Sequence, residues 1–600
     1  MDVSYTVTAT PEAHRFHVVL DITRPDPQGQ VLSLPAWIPG SYLIRDFAKH
    51  IVSLHADVDG KPVAVTRVDK QTWRLEPVHG AVRVHYTVYA WDLSVRKAHL
   101  DHTHGYFNGT SLFLRVHGKD EDAHTVAIVK PTGERYADWQ VATTLPRRTG
   151  APLGFGAFEA KDYDELIDCP VEMGTFVHAS FEAGGIPHEV ALTGVFDVDL
   201  DRLCADLKVI CEGHLERMGT PSDLDRYLFQ IMVVGSGYGG LEHRTSTSLI
   251  CSRDDLPRTG EDEVSDGYRT LLALSSHEYF HLWNVKRIKP ARFTPFDLQK
   301  ESPTTLLWAF EGITSYYEPL GLVRTGCIDR ASYLELLGRK LTDVMRRPGR
   351  HVQSVTESSF YAWTKFYQQD EDAPNAIVSY YTKGCMVALA LDLTLRLGTD
   401  GRVSLDDVMR ELYARHGETG TGVPEDGVEV VAKDLSGLDL DDFFEEALRG
   451  TGDAIWERLV GLLEQAGVKA SLRPREGMKD RGGKAGKLAA EKWETRGDLG
   501  FSLKNGNTVS VVWSDSPAME AGIAPGDTIV AMDRLKAGSD LLDRIHRKQP
   551  GDEVTLHVFR RDELHELTAV VRTAPRDTVV LTRIEEPAEG AARLQDAWLG

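Results

Sequence analysis

The sequence predicts a multidomain α+β chain: a β-sandwich-like domain first, a mainly α-helical region in the middle and a small β module last. Three observations predict it. The chain has 600 residues, several times the roughly 100–200 of one domain. Up to about residue 170 short runs alternate apolar with polar residues, the period of a half-buried strand. Between about 265 and 465 the long segments are spaced as helices, and after about 497 short runs with Gly-rich turns return.

The first region, 1–170, is read from runs such as Phe16-His17-Val18-Val19-Leu20-Asp21-Ile22-Thr23, where every even position is apolar. Val82-Arg83-Val84-His85-Tyr86-Thr87-Val88-Tyr89-Ala90 alternates in the same way, and Pro25-Asp26-Pro27 and Asp59-Gly60 supply turns. Helical spacing begins with Leu203, Leu207, Ile210 and Leu215. Glu301-Ser302-Pro303 predicts the start of a helix with Pro in its first turn. The second region is taken as 171–472. Residues 473–496 hold many Arg, Lys, Gly and Glu and few large apolar residues, so they are expected to be a linker. The last module is 497–580, and the tail beyond 580 is expected to fray.

Lys and Arg total 68 against 90 Asp and Glu, a net charge of −22. This argues against sequence-independent nucleic-acid binding, which needs clustered cations. It also argues against docking onto an anionic membrane surface. No stretch approaches 18 consecutive apolar residues, so no membrane span is expected, and the N-terminus shows no secretory pattern. The six cysteines form no CxxC pair. Reduced, buried thiols and a cytoplasmic location are the expectation.

The strongest motif is His277-Glu278-Tyr279-Phe280-His281, preceded by Leu271-Leu272-Ala273-Leu274. On a helix, positions i and i+4 project from one face, so two imidazoles there can bind one metal ion. Glu278 then points beside the metal and can take a proton from its water. Zinc needs a third protein ligand and an open position. Glu311 is the best candidate, a carboxylate inside the apolar stretch Leu306-Leu307-Trp308-Ala309-Phe310-Glu311-Gly312-Ile313. The alternative for Glu311 is a surface pair with Arg287 or Lys286.

Two more segments bear on the reaction. Gly239-Gly240-Leu241-Glu242-His243 precedes the metal helix, and Tyr381-Thr382-Lys383-Gly384 starts an apolar helix. Glu242, beside Gly240, could hold a substrate's α-ammonium group and so fix the amino terminus relative to the metal. The Tyr381 hydroxyl could donate to the oxyanion of the tetrahedral intermediate. A plain turn at Gly239-Gly240 and an aromatic at a helix start are the alternatives.

Together His277-Glu278-Tyr279-Phe280-His281, Trp308-Ala309-Phe310-Glu311-Gly312 and Tyr381-Thr382-Lys383-Gly384 resemble the gluzincins, the thermolysin-like and aminopeptidase N-like zinc peptidases. Gly239-Gly240-Leu241-Glu242-His243 stands where aminopeptidase N carries Gly-Ala-Met-Glu-Asn, with Leu241 for Met and His243 for Asn. The closer resemblance is to the bacterial glycyl aminopeptidase family with a C-terminal PDZ domain. Its N-terminal signatures look like Pro35-Ala36-Trp37-Ile38-Pro39-Gly40-Ser41-Tyr42 and Phe107-Asn108-Gly109-Thr110-Ser111. The resemblance implies a thermolysin-like catalytic domain holding one zinc ion on His277, His281 and Glu311. It implies Glu278 as general base, Glu242 as amine anchor, Tyr381 as oxyanion donor, and release of N-terminal glycine and alanine from peptides.

Residues 497–575 resemble a PDZ domain. Leu499-Gly500-Phe501 looks like its carboxylate-binding loop, and Ser516-Pro517-Ala518-Met519-Glu520-Ala521-Gly522 like the short helix that follows. Such a domain takes an extended C-terminal peptide as an added strand. A structural lid with an unused groove is the alternative. Two competing functions follow: a zinc endopeptidase that captures substrates through the PDZ domain, and a non-catalytic PDZ adaptor. The intact Glu278 and ligand set argue against the adaptor.

Overall fold

The computed structural model describes residues 2–587 and 590–600. The chain forms two compact units, Met1–Ser302 with Tyr413–Val423, and Pro303–Leu412 with Pro424–Gly600.

The first unit opens with a seven-stranded sheet. Across it run Gly156–Ala160, His124–Val129, Val3–Thr10, Arg15–Ile22, Val82–Tyr89, Ile51–Val58 and Lys61–Val63. The predicted alternation holds: Phe16, Val18, Leu20 and Ile22 are buried, as are Val82, Val84, Tyr86 and Val88. This face packs on the segment after His104, with Phe16 and Phe107 edge to face at 5.3 Å and the Tyr86 hydroxyl donating to the Leu112 carbonyl. Two four-stranded sheets complete the β-rich part.

A five-stranded sheet follows, ordered Val177–Ala183, Ile186–Thr193, Tyr227–Val234, Ser246–Ser252 and Tyr238–Glu242. Tyr238–Glu242 is its edge strand, antiparallel to Ser246–Ser252. Two helices belong to this part. Leu200–Met218 is capped by the Asp199 side chain and buries Leu203, Leu207, Ile210 and Leu215 as their spacing predicts. Asp266–Phe280 is capped by Ser265 and buries every residue except Asp266, Gly267 and Thr270, so it is a core helix without a polar face.

The second unit is built around Thr382–Gly398, a helix buried along nearly its whole length. Helices Ile313–Arg324, Arg330–Met345 and Ala454–Gln465 pack on it. The helix expected at Glu301-Ser302-Pro303 starts later, at Leu307. Glu425 explains the delay: its carboxylate accepts from the Thr304 hydroxyl at 2.8 Å and the Thr305 backbone N–H at 2.7 Å, holding these residues extended or in a turn.

Val468–Pro474 pairs antiparallel with Arg576–Arg583, so the strand partners bracket the C-terminal module. Between them lies a sheet ordered Phe501–Lys504, Thr508–Val512, Thr528–Met532, Glu553–Arg560 and Glu563–Val570. Leu499, Val509, Ile529, Leu541, Ile545 and Leu556 fill its core. Residues after 474 are tied down where a free linker is expected: Arg473 pairs with Asp480 at 2.6 Å, and the Arg346 guanidinium donates to the Asp480 carbonyl.

The tail does not fray. Ala591–Leu599 is a helix whose Trp598 is wholly buried. The Trp598 indole N–H donates to the Tyr316 hydroxyl at 2.8 Å, and its ring meets Tyr333 edge to face. A large aromatic near the chain end anchors it, because removing so much apolar area from water outweighs the entropy of fixing one short helix. Among the described residues no helix is long and apolar enough to cross a membrane. Trp598→Ala should release this helix at a cost of about 3–5 kcal/mol. Limited proteolysis checks it: the variant should lose the terminal segment under conditions that leave the parent intact, and equal cleavage rates would count against the anchor.

Candidate active site

The helix Asp266–Phe280 and the turn after it carry His277, Glu278 and His281. The two imidazole rings lie 4.7 Å apart and nearly perpendicular. A carbonyl oxygen only accepts, so the His281 Nδ1 that lies 2.6 Å from the Asn284 carbonyl is the protonated nitrogen. That leaves Nε2 of neutral His281 as the nitrogen with the lone pair, the arrangement that a metal-binding histidine would need. The back of the helix is locked. Tyr279 is fully buried with its hydroxyl 2.9 Å from His188, and the Ser276 hydroxyl lies 2.9 Å from His214.

Glu242 ends the edge strand, paired in register with Thr247. It is 3% exposed, and its Oε1 has no hydrogen-bond partner among the described residues. Glu242, Glu278 and His281 each offer a ligand atom, and these atoms lie within 4.8 Å of one another. The Tyr227 hydroxyl beside them is pushed well above its ordinary pKa, by burial first and then by neighbouring anions that include Glu278 and Glu242. Two carboxylates this close, both buried, leave a strongly negative space suited to a cation. Gly240 leaves room for Glu278: a Cβ on it would run into the Glu278 side chain and push its carboxylate out of place.

The strand end is held by a buried network. The Asp168 carboxylate takes the Lys286 ammonium at 2.7 Å, His243 Nδ1 at 3.1 Å and the Arg244 backbone N–H at 2.9 Å. Burial would raise the Asp168 pKa, but the Lys286 charge and the His243 bond outweigh it and hold this carboxyl well below the usual range. His243 is thus an anchor of the strand. Lys286 is taken by Asp168, and the Arg287 guanidinium by Asp223 at 2.8 Å.

In the second unit Glu311 sits in a π-helical turn, Trp308–Gly312, every residue of which is buried. Such a turn inserts an extra residue and re-aims a side chain. Gly312 rests directly on Gly384 of the helix Thr382–Gly398: a Cβ on Gly384 would lie 2.8 Å from the Gly312 Cα and 2.9 Å from the Trp308 carbonyl oxygen. The two glycines therefore bring the Glu311 turn against the start of that helix, beside Tyr381. The Tyr381 ring stacks on Tyr380 at 4.7 Å and its hydroxyl lies 3.4 Å from that of Tyr367.

Leu499-Gly500 lies outside regular structure, with Gly500 at φ +78°, and Phe501, placed in the loop by the sequence, begins the edge strand Phe501–Lys504. The loop opens on a cavity of about 340 Å³ also lined by Trp513, Arg346, Arg350 and Arg572. The Asp498 carboxylate accepts from the Leu499 and Gly500 backbone N–H groups, while burial raises its pKa to about 6. A peptide carboxylate reaching this loop would compete with Asp498.

Asn284 and Asp168 were not legible as site residues. Each acts through a backbone atom or a long-range ion pair, and neither leaves a pattern in the sequence.

Residues 4–175 match the Peptidase M61 N-terminal domain, residues 270–387 match M61 glycyl aminopeptidase and residues 497–571 match the PDZ domain. A solved aminopeptidase N family protein from Idiomarina loihiensis is 42% identical over all of both chains, with a TM-score of 0.94. An M1 zinc metallopeptidase from Deinococcus radiodurans is 14% identical, covering 75% of this chain and 93% of its own, with a TM-score of 0.46. A mutant of an M1 zinc metallopeptidase from the same organism, bound to a Tyr-Ser-Ala substrate, is 15% identical with the same coverage and a TM-score of 0.44. No curated protein matches the chain.

The Gly312–Gly384 contact can be tested directly. Gly384→Ala should lower the unfolding free energy by about 1–3 kcal/mol through overpacking and displace the Glu311 turn. Denaturant unfolding checks it, and parent-like stability would show that the contact has slack.

Proposed function

This chain belongs to the M61 glycyl aminopeptidase family, and we propose that it removes small N-terminal residues, glycine and alanine, from peptides with the help of one zinc ion. The single observation that carries the reading is Glu242: a buried carboxylate with an oxygen that has no hydrogen-bond partner among the described residues, at the end of an edge strand and next to Glu278 and His281. An anion so placed fits the α-ammonium group of a peptide whose first carbonyl lies at the reacting centre.

We take His277, His281 and Glu311 as the zinc ligands. The residues present fit such an ion: the His281 tautomer presents Nε2, His277 stands one helical turn before it, and Glu311 is a buried carboxylate in an apolar turn. When bound, zinc supplies Lewis-acid polarisation of the scissile carbonyl and acidifies a water. Cobalt or manganese would suit the same ligands in vitro. Glu278 accepts the water's proton and passes it to the leaving amine. Tyr381 donates its hydroxyl to the developing oxyanion. Glu242, with the Gly240 backbone beside it, holds the free amino terminus. The Leu499-Gly500-Phe501 loop and the open edge of Phe501–Lys504 suit the C-terminus of a peptide, added as a strand. Six cysteines, none in a disulfide among the described residues, are in keeping with a reducing, cytoplasmic setting.

Glu278→Gln should retain zinc by elemental analysis and lose at least about 10²-fold in kcat; near-parental turnover would remove the general-base role. Chelation should abolish hydrolysis of glycyl and alanyl anilides, and zinc should restore it. On a matched panel, unblocked glycyl and alanyl substrates should be cleaved, with leucyl and N-acetylated ones spared. Cleavage of blocked internal peptides would instead favour the endopeptidase reading.

A further inference from the structure

The Pro35–Tyr42 signature has no role in the chemistry above, yet its turn touches the amine anchor. Gly40 has φ +88°, a left-handed conformation that favours glycine. A Cβ built on it would lie 2.5 Å from Glu242 Oε2 and 2.6 Å from Oε1, closer than carbon and oxygen can approach without one of them moving. The Gly40 backbone therefore forms one wall of the space that holds the Glu242 carboxylate.

That wall is rigid. The Ala36 backbone N–H donates to the Leu298 carbonyl at 2.7 Å, and the Trp37 indole N–H to the Asp297 carbonyl at 2.8 Å. Trp37 is wholly buried against Phe293 and Phe296, and the Tyr42 ring stacks on Phe293 at 5.8 Å. The Ser41 N–H closes the turn on the Ile38 carbonyl, and the Arg45 and Asp46 N–H groups bond the Ala36 carbonyl. The turn is thus fastened to the segment just beyond the helix Asp266–Phe280, so the Glu242 carboxylate, the far end of a flexible side chain, is the part that a Cβ would displace.

We propose that Gly40 is a positioning residue for the amine subsite: its missing side chain sets where the Glu242 carboxylate stands, and hence how strongly the enzyme prefers a free amino terminus. The inference rests on Glu242 as the amine anchor, which Glu242→Ala tests by itself. Loss of the preference for unblocked over N-acetylated glycyl substrates in that variant supports the anchor; an unchanged preference defeats it and leaves Gly40 with nothing to position.

With the anchor established, Gly40→Ala in the full-length zinc enzyme should raise KM for glycyl anilide at least tenfold with kcat little changed. The ratio of unblocked to blocked hydrolysis should fall by a similar factor. In the Glu242→Ala background the same change should have no further effect on that ratio. In the Glu242→Asp background, whose carboxylate is retracted by one methylene, its effect should be much smaller than in the parent. Gly60→Ala separates positioning from strain, since Gly60 also has positive φ (+77°) but its Cβ would meet nothing within 4 Å. It should lower thermal stability and leave the ratio untouched. If Gly40→Ala does not fold, Trp37→Phe, which removes the indole bond to Asp297, should loosen the wall and lower the ratio in the same Glu242-dependent way. An unchanged ratio in Gly40→Ala, or an equal fall with and without the Glu242 carboxylate, would overturn the proposal.

Discussion

Two buried carboxylates and an imidazole within one small space set the terms for the first unit. Anions brought together away from water repel each other and lose their hydration, so the arrangement persists only where a cation will meet it or the surrounding structure forces it. Here the surroundings do force it. The edge strand is hydrogen-bonded along Ser246–Ser252, its far end is tied through Asp168 to Lys286 and His243, and the helix bearing Glu278 is held from behind by His188 and His214. Packing elsewhere in the unit holds the two carboxylates together, and a substrate's ammonium group and a metal ion are the counter-charges proposed for them.

Glycine is the means by which the backbone comes close enough. Gly240 lets the edge strand lie on Glu278, Gly40 lets a turn of the β-rich part lie on Glu242, and the Gly312–Gly384 pair lets a π-helical turn lie on a helix. In each case a methyl group would fall where a functional side chain or another backbone already is. These positions place side chains without contributing any chemistry, which is why the reactive residues alone do not describe the site.

The C-terminal module is held in a comparable way. Its two ends are joined by the strands Val468–Pro474 and Arg576–Arg583, the second of which packs on the helix Arg330–Met345. The segment between strand and module has the composition of a linker but is folded back by Arg473, Asp480 and Arg346. The loop Leu499-Gly500 is itself capped by the Asp498 carboxylate, which accepts from both backbone N–H groups.

By itself the sequence determined the strand faces of the first region, the long buried helices, the His-Glu-x-x-His pattern, the candidate third carboxylate and the PDZ-like end. All are local: periods of two or 3.6 residues, a motif within one helical turn, turn residues at fixed offsets. The delayed helix start at Leu307, the docked tail and the folded linker depended on partners more than a hundred residues away, namely Glu425, Tyr316 and Arg346. The same holds for the wall behind Glu242. Nothing in Pro39-Gly40-Ser41 indicates which side chain it will touch, because that contact exists only once Trp37 and Tyr42 are packed on Phe293 and Phe296. Local pattern decides which residues can do chemistry; long-range packing decides which of them meet, and at what distance.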